Sequence, residues 1–248
     1  MVNSHLPRQR YLTCERYYIF ELLIFAGGML GAYTYNLRGG VFCNAQTANV
    51  MLMALRFGKG EFRAGLYYLI PIAAYLLGTV VSEVLPARVR KIRIFRWDTY
   101  LILFEIAVLF CLGFVPLDDR VTQVIQVVVN IIASMQYNTF RQAEGVTMAT
   151  TFVTNHIRQT GIWFVVFLKN GRREDGIKCL RYLGMVLIFF AGGAVLTAFC
   201  GILKEKAVWL IILPLAVSFT LLAYADLRSE RGLLDSAPHG HGKGKTSL

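Results

Sequence analysis

Charge is scarce in this chain, and acid is scarcer than base. Asp, Glu, Lys and Arg supply 17% of the 248 residues, against about 25% in a soluble domain. That is too little to dress a water-exposed surface of ordinary size. Catalytic signatures are missing as well. There is no HExxH, no GxSxG and no Cys–His pair in a suitable setting. The acids that fall in apolar runs are scattered rather than gathered in one plane, so no enzyme is expected. Cys14, Cys43, Cys111, Cys179 and Cys200 form no CxxC or other ligand spacing. Three of them sit inside apolar runs, where a thiol behaves as a small hydrophobe, so neither a disulfide framework nor a metal is expected. The basic start, MVNSHLPRQRYLTCERYY, leads into an apolar run with no small-residue cleavage site behind it. It reads as a signal anchor.

What is abundant is hydrocarbon. The chain is 56% hydrophobic with a mean hydropathy of +0.51, which places it among polytopic membrane proteins. Eight segments can be drawn: Tyr17–Tyr35, Gly40–Phe57, Leu66–Leu85, Tyr100–Leu117, Val121–Tyr137, Val146–Leu168, Leu183–Leu203 and Val208–Ala225. A spanning helix needs about 20 mostly apolar residues. The first, third, fourth, seventh and eighth meet that standard, and the fifth is short but rich in Val and Ile. The second and sixth have polar first halves. The net charge of +11 resides mostly in short loops beside apolar runs, where it sets topology and attracts anionic headgroups. No nucleic-acid reader motif accompanies it.

The order of segments repeats. Tyr35-Asn36, Arg38 and Gly40-Val41 in one half answer Tyr137-Asn138, Arg141 and Gly145-Val146 in the other, and the basic loops FGKGEFRAG and KNGRREDG follow. The loop with Arg88, Arg90, Lys91, Arg93 and Arg96 and the loop with Lys169, Arg172, Arg173, Lys178 and Arg181 should both be cytoplasmic. Eight full crossings would put them on opposite sides; six would not. The expected fold is therefore an all-α transmembrane bundle of two pseudo-symmetric, inverted repeats. It has about six spanning helices and two polar broken or re-entrant helices. Residues 1–16 form a cytoplasmic segment and residues 17–228 one membrane domain, with repeats 17–117 and 121–225. Residues 229–248 form a disordered tail, whose His239 and His241 make a poor metal site.

The polar interruptions GGVFCNAQTAN and GVTMATTFVTNHIRQ carry the functional reading. A bilayer penalises bare backbone and polar side chains, so they persist where protein or a water-filled cavity covers them. Paired places in a repeat point to a transport site. Asn44, Gln46, Thr47 and Asn49 offer neutral donors and acceptors for a small polar solute or ion. Thr151, Thr154, Asn155 and His156 form the partner cluster, with Arg158 compensating charge. The competing reading is hydrogen bonding between helices, with Arg158 snorkelling and His156 packed. Glu21, Glu83 and Glu105 are the candidate carboxylates for Arg158. Arg38 and Arg141 precede the polar elements as gating or entrance residues, or else as interfacial anchors.

The stretch RGGVFCNAQTANVMLMALRFGKGEFRAGLYYLIPIAAYLLG resembles the YoaK-like family of bacterial multi-pass membrane proteins, a domain of unknown function. MQYNTFRQAEGVTMATTFVTNHIRQTG is similar to that family's second-half motif, and the resemblance runs from about Tyr17 to Arg228. Where the family usually has Thr-Gly-Asn, this chain reads Thr47-Ala48-Asn49 and Thr154-Asn155-His156. The resemblance implies the bacterial inner membrane and no established substrate. The expected function is a transporter or channel for a small polar solute, an anion where Arg38 and Arg141 act together with Arg158, with both termini cytoplasmic. The alternative is a scaffold or sensor acting through the basic loops. The partners that follow are the lipid bilayer and the solute, with a homo-oligomer left open; no cofactor is expected.

Overall fold

The computed structural model describes residues 11–89, 92, 94–236 and 238, so Arg90, Lys91, Arg93, His239 and His241 lie outside the described residues. Apart from one two-stranded ribbon, the fold is helical. The helices are α1 (Tyr17–Leu37), α2 (Gln46–Gly58), α3 (Phe62–Leu66), α4 (Leu69–Val89), α5 (Trp97–Leu112), α6 (Asp119–Thr139), α7 (Thr154–Asn170), α8 (Arg173–Leu203) and α9 (Trp209–Tyr224). Their ends follow local chemistry. Asp118 caps α6 by accepting from the Arg120 amide, as a short acidic side chain does at a helix start. Gly171, at φ 62°, closes α7 in the left-handed conformation open to glycine.

Among the described residues, three helical stretches are long and apolar enough to cross a membrane: Tyr17–Leu37, Phe62–Val89 and Arg173–Ser229. This is the build of a membrane protein. α5 misses the length, since its 16 residues reach about 24 Å against a hydrocarbon core of about 30 Å. α6 has the length but misses the hydropathy for a structural reason. Its Gln126, Asn130 and Gln136 are all fully buried, so its polar residues face protein.

Two helix pairs pack through small residues. α1 lies along α8. A Cβ on Gly28 would stand 2.1 Å from the Phe189 carbonyl oxygen, and one on Gly192 would stand 2.1 Å from that of Phe25. Backbone therefore meets backbone, the close approach that small residues permit between membrane helices. Asn36 Nδ2 also donates to Thr197 Oγ1 at 3.1 Å, so the two helices run in the same direction. α4 lies along α6 in the same way. Gly78 abuts Ile131 and Ser134, and Asn138 Nδ2 donates to Ser82 Oγ at 2.8 Å; these two are again parallel. α5 and α9 are antiparallel, joined by Trp209 Nε1 to the Phe110 carbonyl at 3.0 Å and Thr99 Oγ1 to Asp226 at 2.7 Å.

The segments around Thr13 and Glu230 meet at one end of the bundle. Glu230 accepts from the Thr13 amide and hydroxyl, both at 2.8 Å, and pairs with the buried Arg96 at 3.4 Å. Arg96 also pairs with Asp98 at 3.2 Å and reaches Cys14 Sγ at 3.0 Å. Burial pushes the Cys14 thiol well above its ordinary pKa. The segment expected to be a free tail thus begins in ordered structure, through a 3-10 turn at Arg231–Leu233.

The sixth sequence segment, drawn from Val146, becomes helical only at Thr154. Before it, strands β1 (Gln142–Ala143) and β2 (Val146–Thr147) pair as an antiparallel ribbon. Its two turn residues, Glu144 and Gly145, have φ of 47° and 82°, which a two-residue hairpin of matching twist requires.

Candidate functional site

The two polar breaks converge on one point of α1. The first leaves α1 at Arg38, turns through Gly39 and Gly40 at positive φ, and runs non-helically to Ala45. There Asn44 Nδ2 donates to the Gly27 carbonyl at 3.0 Å. The second break starts from the opposite end of α1, where the Glu144 amide donates to the Glu15 carbonyl at 2.8 Å. It too arrives at Gly27, whose missing Cβ leaves room for the Thr150 carbonyl oxygen and the Thr151 Cα. Gly27 is the middle residue of α1. Each break thus runs back along about 16–18 Å of helix to reach it. Gln46 Nε2 makes the matching contact to the middle of α6, donating to Asn130 Oδ1 at 2.9 Å.

From that depth α2 and α7 begin, and their starts line one cleft of about 580 Å³. Its walls are Asn44, Ala45, Gln46 and Thr47, then Phe152, Thr154, Asn155 and Arg158, with Tyr75 of α4 and Tyr137 of α6. No Asp or Glu lines it. Neither helix start is capped by a side chain, which leaves first-turn amides and the positive dipole end facing the cleft. Arg158 bonds Asn155 Oδ1 at 3.0 Å and forms no ion pair among the described residues. Its three candidate carboxylates are elsewhere. Glu83 pairs with Arg141, Glu105 is buried in α5 with neither oxygen hydrogen-bonded, and Glu21 lines a separate surface hollow.

Of the residues singled out in the sequence, Asn44, Gln46, Thr47, Thr154, Asn155 and Arg158 come together here. Thr151 is fully buried and lines the neighbouring apolar groove. Asn49 faces away: its Nδ2 donates to the Phe42 carbonyl at 2.8 Å and to Gln46 Oε1 at 3.0 Å, tying the break to the first turn of α2. His156 is also outside the cleft, fully buried, with Nε2 on the Ala149 carbonyl at 2.8 Å.

The two arginines have different fates. Arg141 lines a second cleft. This smaller cleft of about 380 Å³, lined also by Asn138 and Thr147, shares Tyr137, Phe152 and Asn155 with the central one. The rings of Tyr137 and Phe152 lie 4.8 Å apart between the two. Arg38 is at no entrance. It is completely buried, donating to the carbonyls of Val115 and Pro116 at 2.8 Å each and to Tyr33 Oη at 2.9 Å. There it neutralises the carbonyl end of α5.

Sequence reasoning passed over Tyr75 and Phe152. Tyr75 had a signal, since its hydroxyl is the one polar side-chain group in the run from Leu69 to Gly78. Phe152 had none.

No curated protein and no solved structure matches the chain. The pattern of one family, described as "Protein of unknown function (DUF1275)", matches residues 19–221. That stretch runs from the first turn of α1 to the last turn of α9 and holds every residue of the cleft, and the chain belongs to this family.

Proposed function

We propose that this chain is a transporter or channel for a small anionic solute in the bacterial cytoplasmic membrane. The observation that carries the reading is the convergence of two uncapped helix starts and Arg158 on a cleft without a carboxylate. Broken helices whose N-termini point at an anionic group are a recurring way to bind such solutes in membranes. Each helix start contributes about 0.3–1 kcal/mol toward an anion, and a charged hydrogen bond about 1.5–3 kcal/mol.

The topology we infer has six crossings. α1, α5 and α8 run one way, α4, α6 and α9 the other, and α2 and α7 enter from opposite faces and return. Helix directions support it: α1 parallel to α8, α4 parallel to α6, α5 antiparallel to α9. Inverted repeats are supported by the packing, since exchanging α1 with α6, α2 with α7, α4 with α8 and α5 with α9 maps these contacts onto one another. Both termini would then be cytoplasmic, as the basic loops require.

The test is anion flux into liposomes carrying the purified chain, alongside single-cysteine labelling at positions 44, 47, 155 and 158. Arg158→Gln is expected to weaken anion binding about 10- to 100-fold. All four positions should label from water. Dry positions together with no anion flux would sink the proposal and leave the scaffold reading, in which the basic loops dock a partner.

A further inference from the structure

The polar cleft does not stand alone. A larger groove of about 970 Å³ lies against it, and the two share Asn44, Ala45, Phe152 and Thr154 as a common wall. The groove runs between α1 and α8 over Gly28, Gly31 and Gly193, with Phe189 and Phe190 along its side. Gly28 packs against the α8 backbone and Gly31 against the Asn44 amide, so neither adds a side chain to the groove, and the aromatic rings give it apolar walls. A cationic, hydrogen-bonding chamber thus continues into an apolar one.

We propose that the solute is an amphiphilic organic anion, a carboxylate or sulfonate with a single apolar chain. Its headgroup would lie between the α2 and α7 starts beside Arg158, and its chain in the α1–α8 groove. The inference rests on the anion-binding reading of the cleft and deepens it. Two features favour this occupant over a membrane phospholipid. Small-ligand sites span about 300–1,000 Å³, the range of these chambers. The polar chamber also sits level with Gly27, the midpoint of α1, about 15 Å from either interface of the hydrocarbon core. A phospholipid headgroup belongs at the interface, and a mobile single-chain anion can be drawn inward by the chamber.

The test is calorimetric titration of the full chain in zwitterionic nanodiscs with n-alkylsulfonates from methane- to octanesulfonate, which stay ionised throughout. Affinity is expected to rise about fourfold per added methylene. Arg158→Gln should weaken every member of the series about 10- to 100-fold. Ala194→Trp, which places a ring in the groove from an exposed position on α8, should flatten the rise. Ile202→Trp, on the outer face at 77% exposure, should leave it unchanged.

Equal affinity along the series, with small-anion flux intact, would overturn the amphiphile and leave the transporter standing. A series whose affinities are unchanged in Arg158→Gln, or a rise that appears in empty discs, would be bilayer partitioning and would also overturn it. So would a phospholipid that stays bound through purification and is not displaced by octanesulfonate. Absence of both binding and flux for every anion would remove the parent reading as well.

Discussion

Gly27→Ala is the sharpest probe of the convergence point. A Cβ there would stand 2.4 Å from the Thr150 carbonyl oxygen, about 0.6 Å inside the closest approach that real Cβ atoms make. The obstacle is backbone, so the second break must move off α1. Overpacking costs about 1–3 kcal/mol, and alanine in a helix interior returns about 0.5–1 kcal/mol over glycine. The net loss is about 0–2.5 kcal/mol, a fall in Tm of up to about 10 °C at this chain length. Function should suffer more. A binding constellation tolerates displacements of about 0.5 Å, and Thr154 and Asn155 follow Thr150 directly, so flux should fall about tenfold. Gly184→Ala is the control: it lies in α8 with no atom within 4 Å of the added Cβ, and should raise Tm by about 1–4 °C with flux unchanged. Thermal unfolding followed by tryptophan fluorescence and liposome flux read both. If the two variants behave alike, the breaks do not meet at Gly27.

Arg38→Leu should cost about 1–3 kcal/mol in denaturant unfolding, because it leaves two part-buried carbonyls and a tyrosine hydroxyl without their donor; a change below about 1 kcal/mol would return Arg38 to an entrance role. Asn49→Leu should lose about 1–3 kcal/mol of stability by releasing the Phe42 carbonyl. Asn155→Leu, on the cleft wall, should lower flux and leave Tm within about 2 °C, so equal stability losses would contradict their assigned positions. Cys14 should resist iodoacetamide at pH 7.5, since burial raises its pKa and leaves little thiolate. Glu230→Ala should expose it by releasing the Thr13 turn, with mass-spectrometric alkylation as the readout. Glu83→Gln, which breaks a pair half open to water, should shift stability by less than about 1 kcal/mol in the same unfolding assay.

The interruptions were legible because bilayer physics leaves polar residues few reasons to sit between apolar runs. Three residues of the first cluster and three of the second do meet. What escaped was pairing across long sequence separations. Arg38 and Arg141 occupy matching motifs, yet Arg38 finds carbonyls 77 and 78 residues away and Arg141 finds a carboxylate at the rim. No local pattern separates those outcomes. Asn49 points back because its partner, Phe42, lies on the break itself. The late start of α7 had a local cause that run-counting absorbed: Glu144-Gly145 is a hairpin turn, and Val146-Thr147 reads as apolar until that turn is recognised. α6 was legible as a helix, but its glutamines gave no sign that α1 would receive them.

That last contact sets the mechanics of the molecule. α1 with α8, and α4 with α6, are clamped at glycines where one helix meets the backbone of the other, so no slack exists there for sliding. Between the pairs the seam is made of amides: Gln46 to Asn130, Gln126 to the Arg38 carbonyl at 2.6 Å, and Gln136 to the Leu23 carbonyl at 3.3 Å. Such bonds exchange for water at little net cost, whereas a close-packed glycine contact does not reform part-way. Each pair is therefore stiff, and the seam is the compliant joint. The chamber holding Arg158 lies along that joint, with Tyr75 and Tyr137 of one rigid half on its wall and Asn44, held by the Gly27 carbonyl of the other, facing them, so any rocking of the halves changes its width first.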